Sequence, residues 1–336
     1  MIGLFSGLAA AGATVAASNT VIQAAPAARS VTNPPAAKPG PNDPVEKEYK
    51  KLMEDDDAAQ AEVDKWLRDN EQFGANGAAV PSAEMARRIQ ERFKPVRLAY
   101  EQFLKQHPDH AGARLAYGSF LNDMHDEEGA QEQWEKALTL DPRNPAAYNN
   151  LANLYGHVGP VTKAFEYYAK AIELNPREPV YYDNFGTTVY LFRKDAREYF
   201  GITEQQVFDK ALELYSHALK LDPANFPLAS EVAQTYYGIK PLRLDEALKA
   251  WTNTLAIAHD EIEREGVYIH LARLKLLGGR LNEARAHLNA VTNAMYTDLK
   301  RRVGRNLDEQ EKHAKETNAP PVAEDNPKPE TRSKSE

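Results

Sequence analysis

Few residue clusters in this chain have the types and spacing that catalysis or ligation requires. His107 and His110 flank Pro108 and Asp109 and bring two imidazoles to one turn. Such a pair holds a metal only with further ligands, and no cysteine or third histidine stands close in sequence, so a plain turn pair is expected. Glu54-Asp55-Asp56-Asp57 offers four carboxylates. A calcium loop needs spaced oxygens and a turning glycine; this run sits in helical sequence and reads as a solvated face. No GxSxG, HExxH, GxxxxGK or GxGxxG motif occurs. No catalytic or metal-ligating residue and no cofactor is therefore assigned, and the chain reads as non-enzymatic. What remains is carboxamide chemistry. Asn149, Asn150 and Asn153 fall in one short stretch, and Asn184 follows Asn150 by 34 residues. Each carboxamide offers a donor and an acceptor, which suits a peptide bond whatever its side chains.

The totals bound what can position these groups. The 336 residues are 42 % hydrophobic and 27 % charged, enough to bury a core in one large domain or two ordinary ones. A net charge of −8 argues against a nucleic-acid binder, which normally shows a basic stripe. With no cysteine there is no disulfide, thiol chemistry or cysteine lipidation.

The asparagines lie in Pro145 to Pro176, the most regular stretch. Tyr148, Leu151, Ala152 and Tyr155 form one apolar stripe, and Ala164, Tyr168 and Ala171 another. Spacings of three and four predict two amphipathic helices joined by a turn at His157-Val158-Gly159-Pro160. Small residues at 152, 164 and 171 let the two backbones pack closely. Pro108, Pro142 and Pro176 follow one another at intervals of 34.

This pattern resembles the tetratricopeptide repeat (TPR), a helical pair of about 34 residues with aromatic, small and proline signature positions. The resemblance implies an all-α fold: a right-handed superhelical solenoid of helix-turn-helix repeats with flanking capping helices. About five units fit, at 111–144, 145–178, 179–225, 226–264 and 265–305. The first carries Tyr117, Gly118, Leu121, Ala130, Trp134, Ala137 and Pro142, with Arg114 where a large aromatic is usual, a departure expected to weaken the seal with the preceding helix. The third carries Tyr182, Phe185, Gly186, Ala211, Tyr215 and Pro223 but holds 13 extra residues, since Pro176 to Pro223 is 47. These fall near 193–206 and predict a longer hairpin or an inserted short helix. The fourth carries Val232, Ala233, Tyr236, Ala247 and Trp251. The fifth carries Tyr268, Leu271, Ala272, Ala284 and Leu288, and its last helix is expected to run on through Tyr296 and Leu299 as a cap.

Residues 44–110 read as capping helices with a degenerate half-repeat: one helix from Pro44 to Asn70, a loop from Gly74 to Pro81, then a helix capped by Ser82 and kinked or broken at Pro95. Residues 1–28 hold no charged side chain and end near Ala25-Pro26-Ala27. They read as a signal peptide or, second, a membrane anchor, so an exported or envelope-associated location is favoured. Residues 29–43 read as a Pro/Ala-rich linker and 306–336 as a disordered charged tail.

In this family the first helix of each repeat lines a concave groove. The resemblance places there Asn149, Asn150 and Asn153, then Asp183, Asn184 and Thr187, then Ser230, Glu231, Gln234 and Tyr237, and finally His270 and Arg273. Asn150 and Asn184 hold the same place in consecutive units, which in some relatives grips the backbone of an extended peptide. Lysines are lacking and Asp183 and Glu231 are present, so a clamp for a terminal carboxylate is disfavoured. The implied function is a protein-interaction scaffold or adaptor for an extended segment of another protein, with no nucleic-acid partner and a possible membrane tether. The alternative is a structural subunit of a cell-envelope complex, assembled through the convex face or the caps. No oligomeric state is assigned.

Overall fold

The computed structural model describes residues 43–74 and 80–317. The expected leader, the linker before Asp43, most of the loop before Pro81 and residues beyond 317 lie outside them. The described residues form fourteen α-helices and no strand: α1 (Pro44–Gly74), α2 (Ser82–Gln106), α3 (Ala111–Asp123), α4 (Glu127–Leu140), α5 (Pro145–Val158), α6 (Val161–Leu174), α7 (Pro179–Leu191), α8 (Arg193–Phe200), α9 (Glu204–Leu221), α10 (Phe226–Thr235), α11 (Leu244–Ala256), α12 (Glu261–Leu277), α13 (Leu281–Ala290) and α14 (Thr297–Thr317). They are all-α helical hairpins of a repeat solenoid. The chain divides into two compact units between Pro223 and Ala224. The first holds α1 to α9 and the second α10 to α14.

In the first unit the hairpins α3–α4, α5–α6 and α7–α9 start alike. His110, Asn144 and Glu178, 34 apart, precede the three first helices, and each accepts a hydrogen bond from a first-turn backbone N–H. These caps satisfy donors that a helix start leaves unpaired, at roughly 1 kcal/mol each. Four residues on, Arg114, Tyr148 and Tyr182 repeat the interval. Each donates to the carbonyl of the proline ending the preceding hairpin: Arg114 Nε to Pro108 at 2.8 Å, Tyr148 Oη to Pro142 at 3.3 Å and Tyr182 Oη to Pro176 at 3.2 Å. Arg114 therefore does not open the seam that sequence reasoning assigned it. Its guanidinium makes the tyrosine's hydrogen bond and adds a second, to Gln133 Oε1 at 2.9 Å.

Within each hairpin a small residue faces a large ring. A Cβ on Gly118 would stand 2.6 Å from Trp134, and one on Gly186 would stand 3.1 Å from Tyr215. Both rings are almost wholly buried. At Gly118 such spacing leaves no room for a methyl group in a core packed like a crystal; at Gly186 the Tyr215 ring would have to give by a few tenths of an ångström. The extra residues of the third repeat form α8, which ends at Gly201 in the left-handed region (φ 65°). Ala196, Tyr199 and Phe200 share one face of α8; Phe165 meets both Tyr199 and Phe200 at 5.4 Å between ring centres.

The capping helices differ from expectation at three points. Pro81, not Ser82, holds the cap position of α2, without a side-chain bond, and α2 passes through Pro95 unbroken. Pro95 lies on the exposed face while Phe93 and Val96 are buried, and burying two such side chains, at roughly 1.5–3 kcal/mol each, offsets the proline's cost of about 3 kcal/mol. Asp56 is not part of a solvated face. It shares a helical stripe with Leu52, Ala59 and Val63, is 7 % exposed, and accepts a 2.6 Å hydrogen bond from Tyr100 Oη. Burial raises its pKa, against the lowering effect of the Tyr100 bond.

In the second unit α13 stops at Ala290 rather than continuing through Tyr296 and Leu299. Glu265, buried on α12, accepts from the backbone N–H of Thr292 (2.9 Å) and of Asn293 (2.7 Å) and from Thr292 Oγ1 (2.8 Å). A carboxylate capturing successive N–H groups breaks the helix there. The chain then restarts as α14, which is helical to Thr317. Residues 306–317 are thus not a disordered tail: Leu307 is fully buried beside Ile269, Leu276 and Leu288, and Arg285 pairs with Asp308 and Glu311.

One titration follows from this packing. Asp123 ends α3, where a negative charge opposes the helix dipole. Burial, then the charges of Asp56 and Asp64, push its pKa up to about 7. A raised carboxyl pKa gives stability that is complete below the unfolded value near 4 and is lost as pH rises through 7. Lowering the pH from 8 to 6 should stabilise the chain by about 1.4 kcal/mol through this group. Urea unfolding at both pH values checks it: Asp123→Asn should lose that increment, and an equal gain in the variant would contradict the assignment.

Candidate functional site

The first helices α5 and α7 carry the expected groove residues of the first unit, and α3 precedes them in the same place of its repeat. Their polar side chains join into one chain of hydrogen bonds. Asn184 Nδ2 donates to Asn149 Oδ1 at 3.0 Å, and Asn149 Nδ2 to Asn150 Oδ1 at 3.4 Å. Asn150 Nδ2 donates to Ser119 Oγ at 3.2 Å, and Ser119 Oγ to the carbonyl of Leu115 at 3.2 Å. The chain runs from α7 through α5 to α3, so each link crosses or braces a repeat junction.

Burial divides these residues. Asn149 and Asn150 are 0 % exposed. The expectation that they face a partner is corrected: their carboxamides are shut inside and bonded to neighbouring repeats. An unpaired amide there would cost about 1–3 kcal/mol, and the chain prevents it. Asn184 is half-buried, at the end of the chain. Its NH₂ donates one hydrogen bond, to Asn149, and its Oδ1 has no partner among the described residues.

Asn153 and Thr187 meet the hydroxyls of the core tyrosines. Tyr168 Oη donates to Asn153 Oδ1 at 2.6 Å, and Thr187 Oγ1 lies 2.9 Å from Tyr215 Oη. A buried tyrosine hydroxyl needs such a partner. Trp134, at the corresponding place, donates instead to the backbone carbonyl of Leu115 at 3.2 Å. Asp183, beside Asn184, is half-buried and has interactions of its own within the chain. Ser119 was missed by sequence reasoning although its signal was present: 119, 153 and 187 are each 34 apart.

The second unit holds the other expected residues. Tyr237 follows α10 in a 3-10 turn at Tyr236–Gly238, and His270 and Arg273 lie on α12. The three come together. Tyr237 Oη is 3.2 Å from His270 Nδ1, and the Arg273 guanidinium sits 4.7 Å from the centre of the Tyr237 ring. Trp251, expected as a core position of the fourth repeat, stacks on His270 at 3.9 Å with planes 7° apart. Burial first, and the Arg273 charge second, press the His270 pKa down to about 4, so the imidazole is neutral at pH 7. It is a packing partner rather than a cation, and Arg273 alone supplies positive charge to this cluster. Ser230 and Glu231 are half-buried on α10, and Gln234 is exposed there. Ser230 Oγ is enclosed without a hydrogen-bond partner.

The histidine pair expected at the first turn is engaged with α1. His110 Nδ1 accepts from Ala113 N, and its Nε2 lies 3.1 Å from Glu46; His107 Nε2 is 3.8 Å from Glu48. Among the described residues no group of three or more histidine, aspartate or glutamate side chains is placed to hold a metal.

With this geometry in view, two family models match the chain: a TPR repeat over residues 126–159 and a tetratricopeptide repeat over 145–178. Residues 126–178 are thus tetratricopeptide repeats. The matched residues contain α4 to α6, including the buried Asn149–Asn150 pair. No curated protein sequence matches it. Solved structures similar to the chain include YrrB, a TPR protein described as having an unusual peptide-binding site, at 15 % identity over 62 % of this chain and 98 % of that one, with a TM-score of 0.47. PilF of Pseudomonas aeruginosa is 19 % identical over 78 % of this chain and 99 % of its own, with a TM-score of 0.46. A thermophilic TPR protein of Thermus thermophilus, TTC0263, is 25 % identical over 59 % of this chain and 98 % of its own, with a TM-score of 0.38.

The buried carboxamides make a stability prediction. Asn150→Ala should leave the Asn149 amide and the Ser119 hydroxyl short of a partner and destabilise by about 2–3 kcal/mol. Gln234→Ala, exposed on α10, should stay within about 0.5 kcal/mol. Urea melts of both variants decide; equal small effects would make Asn150 a free surface group after all.

Proposed function

We infer from its repeats that this chain is a protein-interaction scaffold. We propose that it is a non-enzymatic adaptor that binds an extended segment of a partner protein along the face formed by α3, α5 and α7. The observation that carries this reading is the state of Asn184. One of its amide protons is tied to Asn149, which orients the carboxamide, and its oxygen is left as an acceptor at the accessible end of the chain. An acceptor held in place loses little side-chain freedom when a peptide N–H arrives. Backbone recognition of this kind tolerates varied side chains, as an adaptor requires.

The reading narrows the sequence expectation. Asn149 and Asn150 support Asn184 from below instead of touching the ligand. Export of the chain, with residues 1–28 as leader or tether, rests on the sequence pattern alone and belongs to the same proposal. The rival role, a structural subunit of an envelope complex, differs in its outcome: its assembly should not respond to Asn184.

A random peptide library displayed against the full chain, followed by fluorescence anisotropy of a selected peptide, tests the adaptor. Asn184→Ala should weaken binding about three- to tenfold, the worth of one hydrogen bond. N-methylation of one backbone amide of the peptide should match that loss. Unchanged affinity for the variant, with sensitivity only to peptide side chains, would overturn backbone reading at this face.

A further inference from the structure

The extra residues of the third repeat build something the repeat does not need. Helix α8 is bolted to its own unit through one face. Ala196 is fully buried, Phe200 lies 6.5 Å from Phe185 between ring centres, and Lys210 Nζ sits 4.5 Å from the Phe200 ring. The opposite side, with the end of α7, forms an open hollow of about 340 Å³ lined by Leu191, Phe192, Arg193, Lys194, Asp195, Arg197 and Glu204.

The lining has a division of labour. Arg193 is held in place: its Nη1 donates to the carbonyl of Tyr190 at 3.0 Å, its guanidinium rests 5.2 Å from the Tyr190 ring and 5.7 Å from Phe208, and its Nε stands 3.9 Å from Glu204. Lys194 and Arg197 are exposed, three residues apart on one helix, and neither side chain has an ion-pair or hydrogen-bond partner among the described residues. Positions i and i+3 of a helix are neighbours on its surface. Leu191, beside them, is 61 % exposed. Three cations face two carboxylates here, in a chain whose total is −8. A local cationic surplus next to an exposed leucine, on a rigid mount, is complementary to a ligand carrying carboxylates and an apolar side chain.

We propose that the α7–α8 hollow is a second docking site, taking an acidic peptide segment of a partner protein with a leucine-like residue between its carboxylates. Lys194 and Arg197 receive the carboxylates, Arg193 fixes the edge of the site, and Leu191 with Phe192 provides the apolar floor. Asp195 and Glu204 at the rim disfavour basic segments, which gives the site its selectivity. The site does not involve Asn184.

The probe is a fluorescein-labelled hexapeptide alternating glutamate and leucine, titrated with the full chain, with its lysine counterpart as control. The acidic peptide should bind saturably, weaken with added salt, and lose at least about tenfold in affinity in Lys194→Glu/Arg197→Glu. The milder Lys194→Gln/Arg197→Gln should lose less, and circular dichroism should show both variants folded, since both side chains are exposed. Asn184→Ala should bind the acidic peptide like the wild type, so failure here and failure at the α3–α5–α7 face are separate results. The proposal is overturned if binding does not saturate, if the charge-swap variant binds equally well, or if inorganic phosphate displaces the peptide as effectively as unlabelled peptide does, which would make the hollow a general anion site.

Discussion

The close approach of two helices at a small residue is the constraint on which the first unit depends. Where Gly118 meets Trp134 no methyl group fits between backbone and ring, and where Gly186 meets Tyr215 one fits only if the ring shifts. Approach that close brings the rings against the first helices of their hairpins. A buried indole N–H or phenol O–H must be bonded. The Leu115 carbonyl, Asn153 and Thr187 meet that demand. The polar character of this face thus begins as a consequence of core packing.

That origin changes how the face is read for function. In a repeat protein the first helices are the expected ligand surface, and every asparagine there invites a binding role. Here two of the asparagines are interior groups linking three repeats, and the half-buried end of their chain is Asn184. The second unit reaches a similar result with other side chains. Tyr237, His270 and Trp251 form a stacked, bonded group in which the imidazole is kept neutral, and Arg273 lies over the tyrosine. In both units most polar residues position, and few remain to touch a ligand.

The repeat register was legible because it is set by composition at fixed intervals: closing prolines at 108, 142 and 176, and small residues opposite large rings. The inserted helix was legible as 13 unplaced residues. Burial of Asn149 and Asn150 was not, because a helical wheel ranks positions within one helix, and both residues are enclosed by bonds to neighbouring repeats. Arg114 was misread because its charge suggested a gap, while its geometry reproduces a tyrosine's hydrogen bond. Asp56 sat on an apolar stripe in plain view, but the run of four acids around it outweighed the period. The end of the fifth repeat depended on Glu265, whose partners lie 27 and 28 residues away and leave no local signal.

The central claim is that Asn149 and Asn150 are internal links and Asn184 is the accessible end of the same chain. Hydrogen exchange of the side-chain carboxamides, followed by NMR on the free protein, addresses it directly. The account predicts that the Nδ2 protons of Asn149 and Asn150 exchange only with the opening of their unit, while those of Gln234 exchange at the rate of a free amide. Fast exchange at Asn149 and Asn150, comparable with Gln234, would show that they face water and would contradict the account.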